Sequence, residues 1–462
     1  MASVMALTTN GSEAGVKEEA LEALAARMRG PLLTPETDGY EAARQVWNGM
    51  IDRRPAIIGR CAGTADVKAC VEFARQHDLL VSVRGGGHNF GGKSVVEGGF
   101  MIDLADMRST HVDPARLRAR AGGGAKWVDF DTETQAYGLA TTGGTVGDTG
   151  IAGLTLGGGI GWLGGKYGLA CDNLVSAEVV LADGRLVTAS AEQNDDLFWG
   201  LRGGSGNFGV VTSFEYQVHH VPQVLAGPVF HPFPAAAGVI NFYGEFARDV
   251  PDELGTGCAL LHSPDGMPVA GVIGCWNGPV DAGEQALRSL RAFGPPVMDD
   301  IQPMPYGAIQ SALDDPLPVG NRYYSKGHLL GDLTEDLAAV LVDAYKRVPT
   351  PGSFIILQAL GNAARRVDPA ATAFSHRHAM YELTILAGWT DRADDERCVG
   401  WVRELYDAVE PFGIGHYVNS LVEDMPVESA YQPDTLRRLE SLKAKYDPAN
   451  FFRMNPNIPP SA

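Results

Sequence analysis

Val83-Arg84-Gly85-Gly86-Gly87-His88-Asn89 closes an apolar run and leads into Phe90-Gly91-Gly92-Lys93-Ser94, and its reading decides the fold. Three glycines in succession let the backbone turn its amides toward an anion and let a diphosphate come close, because no side chain stands in the way. The loop reads as a phosphate cradle, and His88 carries an imidazole toward whatever the phosphates belong to. The plainer reading of the same letters is a tight turn after a buried strand, and one glycine loop does not separate the two.

The flanking sequence supplies a frame for such a loop. Val67, Val71 and Ala74 recur at helical spacing over residues 65–77, with Thr64 as cap. Residues 79–83 then read as a buried strand entering the loop and 100–104 as a strand leaving it. Trp127, Val128, Asp131 and Thr134 mark a further helix, after which residues 143–161 form a second glycine-rich segment. Its glycines recur among Val, Ile and Leu, which suits backbone lying flat against a large planar ligand; close packing of helix on sheet also needs glycine. Residues 174–189 turn at Asp183-Gly184 as a hairpin. A third glycine turn, Arg202-Gly203-Gly204-Ser205-Gly206-Asn207-Phe208-Gly209, precedes an alternating strand over 210–218.

From about residue 224 the texture changes, with alternating strands at 354–357 and 381–385 and an amphipathic helix over 333–347. This predicts a second, α+β domain with an antiparallel sheet, free to shape a substrate cavity. Dense motif returns at Tyr417-Val418-Asn419 and again over 446–460, placed to close the cofactor site. The predicted division is 1–223 for the cofactor domain, 224–410 for the substrate domain and 411–462 for a tail that returns to the first.

Composition narrows the partners. The 462 residues are 45% apolar and 20% charged with a net charge of −19, ordinary for a folded protein and repulsive to a nucleic-acid backbone. A small molecule is the expected ligand, with no nucleic acid and no membrane: no stretch reaches the ~20 apolar residues of a span. The N-terminus lacks the pattern of a signal peptide, and six scattered cysteines without a C-x-x-C pair predict free thiols and a cytoplasmic location.

Taken together, the R-G-G-G-H loop, the second glycine segment, the G-G-S-G-N-F-G-V-V-T turn, the Y-x-N element and the closing Y-D-P-x-N-x-F-R…N-I-P-P run make residues 42–460 resemble the berberine-bridge-enzyme-like branch of the vanillyl-alcohol-oxidase type flavoproteins. The resemblance implies a two-domain α+β fold with a PCMH-type FAD-binding domain and an antiparallel-sheet substrate domain. It implies FAD bonded covalently to His88 through its 8α-methyl group, and only there, because Val146 stands where many members have a second attaching cysteine and Leu154 where many have a histidine. It further implies a diphosphate held by Arg84, Gly85, Gly86, Gly87, Asn89 and Ser94, with Arg84 equally suited to a structural ion pair. Gly147, Gly150, Gly153 and Gly158 would line the ring system, Val211 the adenine or ribose end, and Asn419, Asn455 and Asn457 the pyrimidine edge.

The implied activity is hydride abstraction from a C–O or C–N bond of an alcohol, sugar or amine, with O2 as final acceptor and H2O2 as product. A dehydrogenase with poor O2 reactivity and a flavin-binding protein without turnover are the alternatives. A nicotinamide enzyme is disfavoured, since no Gly-x-Gly-x-x-Gly follows the first strand with an acid about twenty positions on. Many plant and fungal members carry a tyrosine base directly after Y-x-N, where this chain has Ser420. Tyr324, or Tyr323, assisted by Lys326 is the predicted substitute, because a neighbouring cation lowers a phenol's pKa; an amphipathic strand explains the same letters. Tyr417 is expected to pack against the flavin. Glu423 and Asp424 follow Y-x-N closely but read as a solvated loop. His376-x-His378 lacks a third ligand, so no metal is expected.

Overall fold

The computed structural model describes residues 3–422 and 425–461, so Glu423 and Asp424 lie outside the described residues. Strand Val81–Arg84, which feeds the first glycine loop, pairs in parallel with Phe100–Asp103, and that strand pairs in parallel with Ile57–Arg60. Parallel strands need a long crossover, and helix Thr64–Gln76 carries the chain from Ile57–Arg60 past Phe100–Asp103 to Val81–Arg84, burying Val67, Val71, Phe73 and Ala74 against Ile57, Phe100 and Ile102. Thr64 is the first helical residue rather than the cap, a position held by Gly63.

A five-stranded antiparallel sheet follows, in the order Leu186–Ser190, Leu174–Val180, Val210–Gln217, Arg118–Gly122, Thr110–Asp113. The hairpin turns where Asp183-Gly184 predicts it, with Gly184 at φ +84°. Trp127 and Phe130 from helix Trp127–Gln135 meet Tyr216 of this sheet, the Phe130 and Tyr216 rings edge to face at 5.5 Å. The second glycine segment coils into helix Ile151–Leu156 beside them.

Residues beyond 223 build a nine-stranded antiparallel sheet whose centre runs Leu254–His262, Phe354–Ala359, Tyr381–Trp389, Arg322–Leu330. Helices Ala236–Phe246, Glu335–Tyr345 and Asp395–Val409 cover one face. Side chains along a strand alternate between faces, and this sorts function from support. On Tyr381–Trp389, Tyr381, Leu383, Ile385 and Ala387 enter the core under the helices. Glu382, Thr384 and Leu386 look the other way, toward the cofactor domain.

The C-terminal helix Pro433–Tyr446 returns to that domain and is latched there by a fully buried ion pair. Lys443 Nζ lies 2.7 Å from Asp447 Oδ2 and also donates to the carbonyls of Asn207 (2.7 Å) and Phe452 (2.9 Å). Asp447 in turn accepts from the amides of Phe451 and Phe452. With every donor and acceptor met, the pair fixes the tail against the third glycine turn. Among the described residues no helix is long and apolar enough to cross a membrane, all six cysteines are free and buried, and no cluster of His, Cys, Asp or Glu could hold a metal.

Candidate active site

A cavity of about 370 Å³ opens where the three glycine segments, the C-terminal tail and the outward face of the large sheet converge. The first two glycine segments touch backbone to backbone. A Cβ on Gly86 would stand 2.3 Å from the Gly150 Cα, so neither position admits a side chain. Gly85, Gly86, Gly87, His88, Asn89 and Ser94 line the cavity from the first segment, and Val146, Gly150, Gly153 and Leu154 from the second. Val211, Asn419 and Asn455 line it as well.

Four expected contacts lie elsewhere. Arg84 turns away, donating to the Ala43 carbonyl with its guanidinium 3.7 Å from the buried Asp103, so of its two readings the structure displays the ion pair. Gly147 donates its amide to Asp314 (2.7 Å), and Gly158, at φ +129°, packs under Phe374. Asn457 is not among the residues that line the cavity, and its Oδ1 is buried without a hydrogen-bond partner.

His88 stacks on Trp47 with ring centroids 4.7 Å apart, and its Nε2 sits 3.0 Å from Asp148 Oδ2. Burial lowers the basicity of the imidazole, against the pull of Asp148, and so favours the neutral ring. Burial also works against the Asp148 carboxylate, but hydrogen bonds from His88 and Lys126 outweigh it and hold Asp148 below its ordinary range. Asp148 thus fixes the ring through Nε2, and no hydrogen bond from the described residues reaches Nδ1.

Tyr417 lines the cavity with its hydroxyl accepting from the Gly159 amide (2.8 Å) and from Asn419 Nδ2 (2.7 Å). Burial raises this phenol far out of the range of a base. Tyr324 and Lys326 do not meet the cavity: strand alternation sends both to the helix-covered side, where Tyr324 accepts from Arg403 and Lys326 lies 4.3 Å over the Tyr406 ring. Tyr323 faces the other way but stacks on Trp47 at 3.9 Å and donates to the Pro318 carbonyl.

The titratable group that the sheet does present is Glu382. Its carboxylate accepts from Thr384 Oγ1 (3.0 and 2.9 Å to its two oxygens) and from Ser420 Oγ (3.3 Å), so the serine found after Y-x-N touches it directly. Burial pushes the carboxyl up to about 7, with the two hydroxyls pulling part of the way back. The pattern Tyr381-Glu382-Leu383-Thr384 carried a signal for it, a charge on the polar face of an otherwise apolar strand.

The residues present fit a flavin dinucleotide. Gly153 and Gly206 both line the cavity, and a Cβ on either would meet nothing within 4 Å, so the space they leave is ligand space rather than packing space. Ser94 Oγ and Asn455 Oδ1 are buried at the wall without a hydrogen-bond partner, groups that a ligand would satisfy. Such a site on an α+β fold with a sheet-built roof defines a flavin-dependent oxidoreductase. Models of the FAD binding domain and of berberine and berberine-like proteins match residues 55–190 and 416–459. An FAD-linked oxidoreductase of Dictyostelium discoideum is 32% identical over 418 residues, covering 90% of this chain and 91% of the relative. The crystal structure of 6-hydroxy-D-nicotine oxidase from Arthrobacter nicotinovorans superposes with a TM-score of 0.86 at 30% identity, over 94% of this chain and 98% of that one. A carbohydrate oxidase from Microdochium nivale gives 0.83 at 26% identity, over 96% and 100%. The chain belongs to the berberine-bridge-enzyme-like family of FAD-linked oxidoreductases, and FAD is its cofactor.

Proposed function

We propose that this protein is an oxidase that removes hydride from a C–O or C–N bond of a small organic molecule, with FAD bonded to His88, and that O2 takes the electrons to give H2O2. The observation that carries this reading is the placement of His88 and Glu382 on one cavity, one supplied by the glycine loop and the other by the sheet. FAD, when bound, supplies the hydride acceptor. The chain supplies the rest. A neutral imidazole held by Asp148 at Nε2 leaves the Nδ1 lone pair free to bond the 8α-carbon of a bound flavin, which would give up a proton and leave two electrons on the flavin for O2 to remove. Glu382, poised near neutral pH, receives the proton released from the substrate heteroatom, and Ser420 and Thr384 hold its carboxylate in place. Relatives named for a nicotine derivative and for carbohydrates support small-molecule oxidation. Six buried, unpaired thiols fit a cytoplasmic setting.

The test is direct. Denatured, dialysed wild-type protein should stay yellow and exceed its calculated mass by one FAD, and His88→Ala should lose both properties. A substrate panel should bleach the holoenzyme anaerobically and release peroxide in air. Bleaching without peroxide would make it a dehydrogenase, and colourless denatured chain would refute the covalent link.

A further inference from the structure

Gln358 and Glu382 are register partners on neighbouring strands, so their side chains stand side by side on the face over the cavity, with Cβ atoms about 5 Å apart. Both line the cavity and are more than nine-tenths buried. Gln358 Nε2 is buried with no hydrogen-bond partner, a donor aimed into ligand space. The two other polar side chains at this end, Thr384 and Ser420, already spend their hydroxyl protons on Glu382. Beside them stand the apolar side chains of Trp47, Phe90, Val146, Leu317 and Leu386. Lys93 is the sole lysine or arginine among the described cavity residues, and it belongs to the glycine loop, donating to the Asn455 carbonyl.

Resting on the oxidase reading, we infer that the substrate is a basic amine on a compact apolar skeleton, carrying a hydrogen-bond acceptor that Gln358 Nε2 recognises while its nitrogen meets Glu382. A buried carboxylate bonded only by hydroxyls lacks a counter-charge, and an ammonium brings one where an alcohol does not. An anionic substrate would face Glu382, and among the described residues lining the cavity no lysine or arginine stands beside it. An oligosaccharide would bury many hydroxyls against largely apolar walls, each unpaired hydroxyl weakening binding.

Binding and turnover are measured separately. Dissociation constants come from perturbation of the flavin spectrum by a cyclic amine with a ring carbonyl or ring-nitrogen acceptor, by the same amine without the acceptor, by the isosteric alcohol and by cellobiose. Wild type should bind the first about 10- to 100-fold tighter than the second, the range for leaving a buried donor unpaired, and tighter than the alcohol and the sugar. Gln358→Leu should erase the preference for the acceptor while keeping the preference for amine over alcohol, and Glu382→Gln should do the reverse. Sugar binding as tight as amine binding, or an acceptor preference that survives in Gln358→Leu, would overturn the assignment. Anaerobic bleaching by the sugar or the alcohol alone would also overturn it while leaving the oxidase reading standing. Amines that bind in the predicted order without bleaching the flavin would sustain the recognition and sink the oxidase reading.

Discussion

Glu382→Gln separates the chemistry of this site from its architecture. A carboxyl held at about 7 in place of its ordinary 4.5 costs about 3 kcal/mol to ionise within the fold, at about 1.4 kcal/mol for each tenfold change in proton affinity. The sign follows from where the proton sits. The folded chain retains a proton that the unfolded chain releases near pH 4.5, so this group's favourable contribution is complete below 4.5 and is lost as pH rises through about 7. Glutamine stays neutral, and its Oε1 still accepts from Thr384 and Ser420. Urea unfolding at pH 8 should therefore find the variant more stable than wild type by up to about 3 kcal/mol. At pH 4 the two should nearly coincide. Stopped-flow reduction should show the opposite trend, with wild type speeding up as pH rises through about 7 and the variant slower by about 10²- to 10⁴-fold with no inflection there. A variant that reduces its flavin at the wild-type rate with the same pH profile would refute Glu382 as proton acceptor. A stability difference independent of pH would refute its buried ionisation.

Tyr324→Phe should leave the rate and pH profile of flavin reduction unchanged, since the phenol lies on the helix-covered side of the sheet; a lost inflection in stopped-flow traces would reverse that placement. Gly153→Ala should stabilise helix Ile151–Leu156 by about 0.5–1 kcal/mol in protein freed of flavin, while the added methyl enters open cavity and lowers flavin content per chain; thermal melts and the ratio of flavin to protein absorbance report the two effects. Lys443→Met should cost about 3–5 kcal/mol in denaturant titrations, because Asp447 is left buried and uncompensated.

Much of the cofactor half was legible because glycine is informative where backbone meets backbone. Gly86 and Gly150 could not be anything else, and the cradle, the hairpin at Gly184 and the second glycine segment follow from local rules. The substrate half was legible as a fold class but not as a site. Which of two adjacent tyrosines lies on the cofactor side of the sheet depends on the phase of a strand against its neighbours, a tertiary property that Asn321-Arg322-Tyr323-Tyr324 does not encode locally. The same alternation hid Glu382, whose partners Ser420 and Gln358 come from distant parts of the chain. Arg84 shows a further limit: a cation beside a phosphate loop reads as a ligand until the buried Asp103 beneath it is seen.

Met454, Asn455 and Pro456 form one wall of the cavity, and the Lys443–Asp447 latch that seats them is made from the same late stretch. His88 therefore leaves the ribosome long before the wall that encloses the cavity does. A chain lacking residues 443–456 would hold an open trough instead of a chamber, so flavin retention should report whether this late segment has docked.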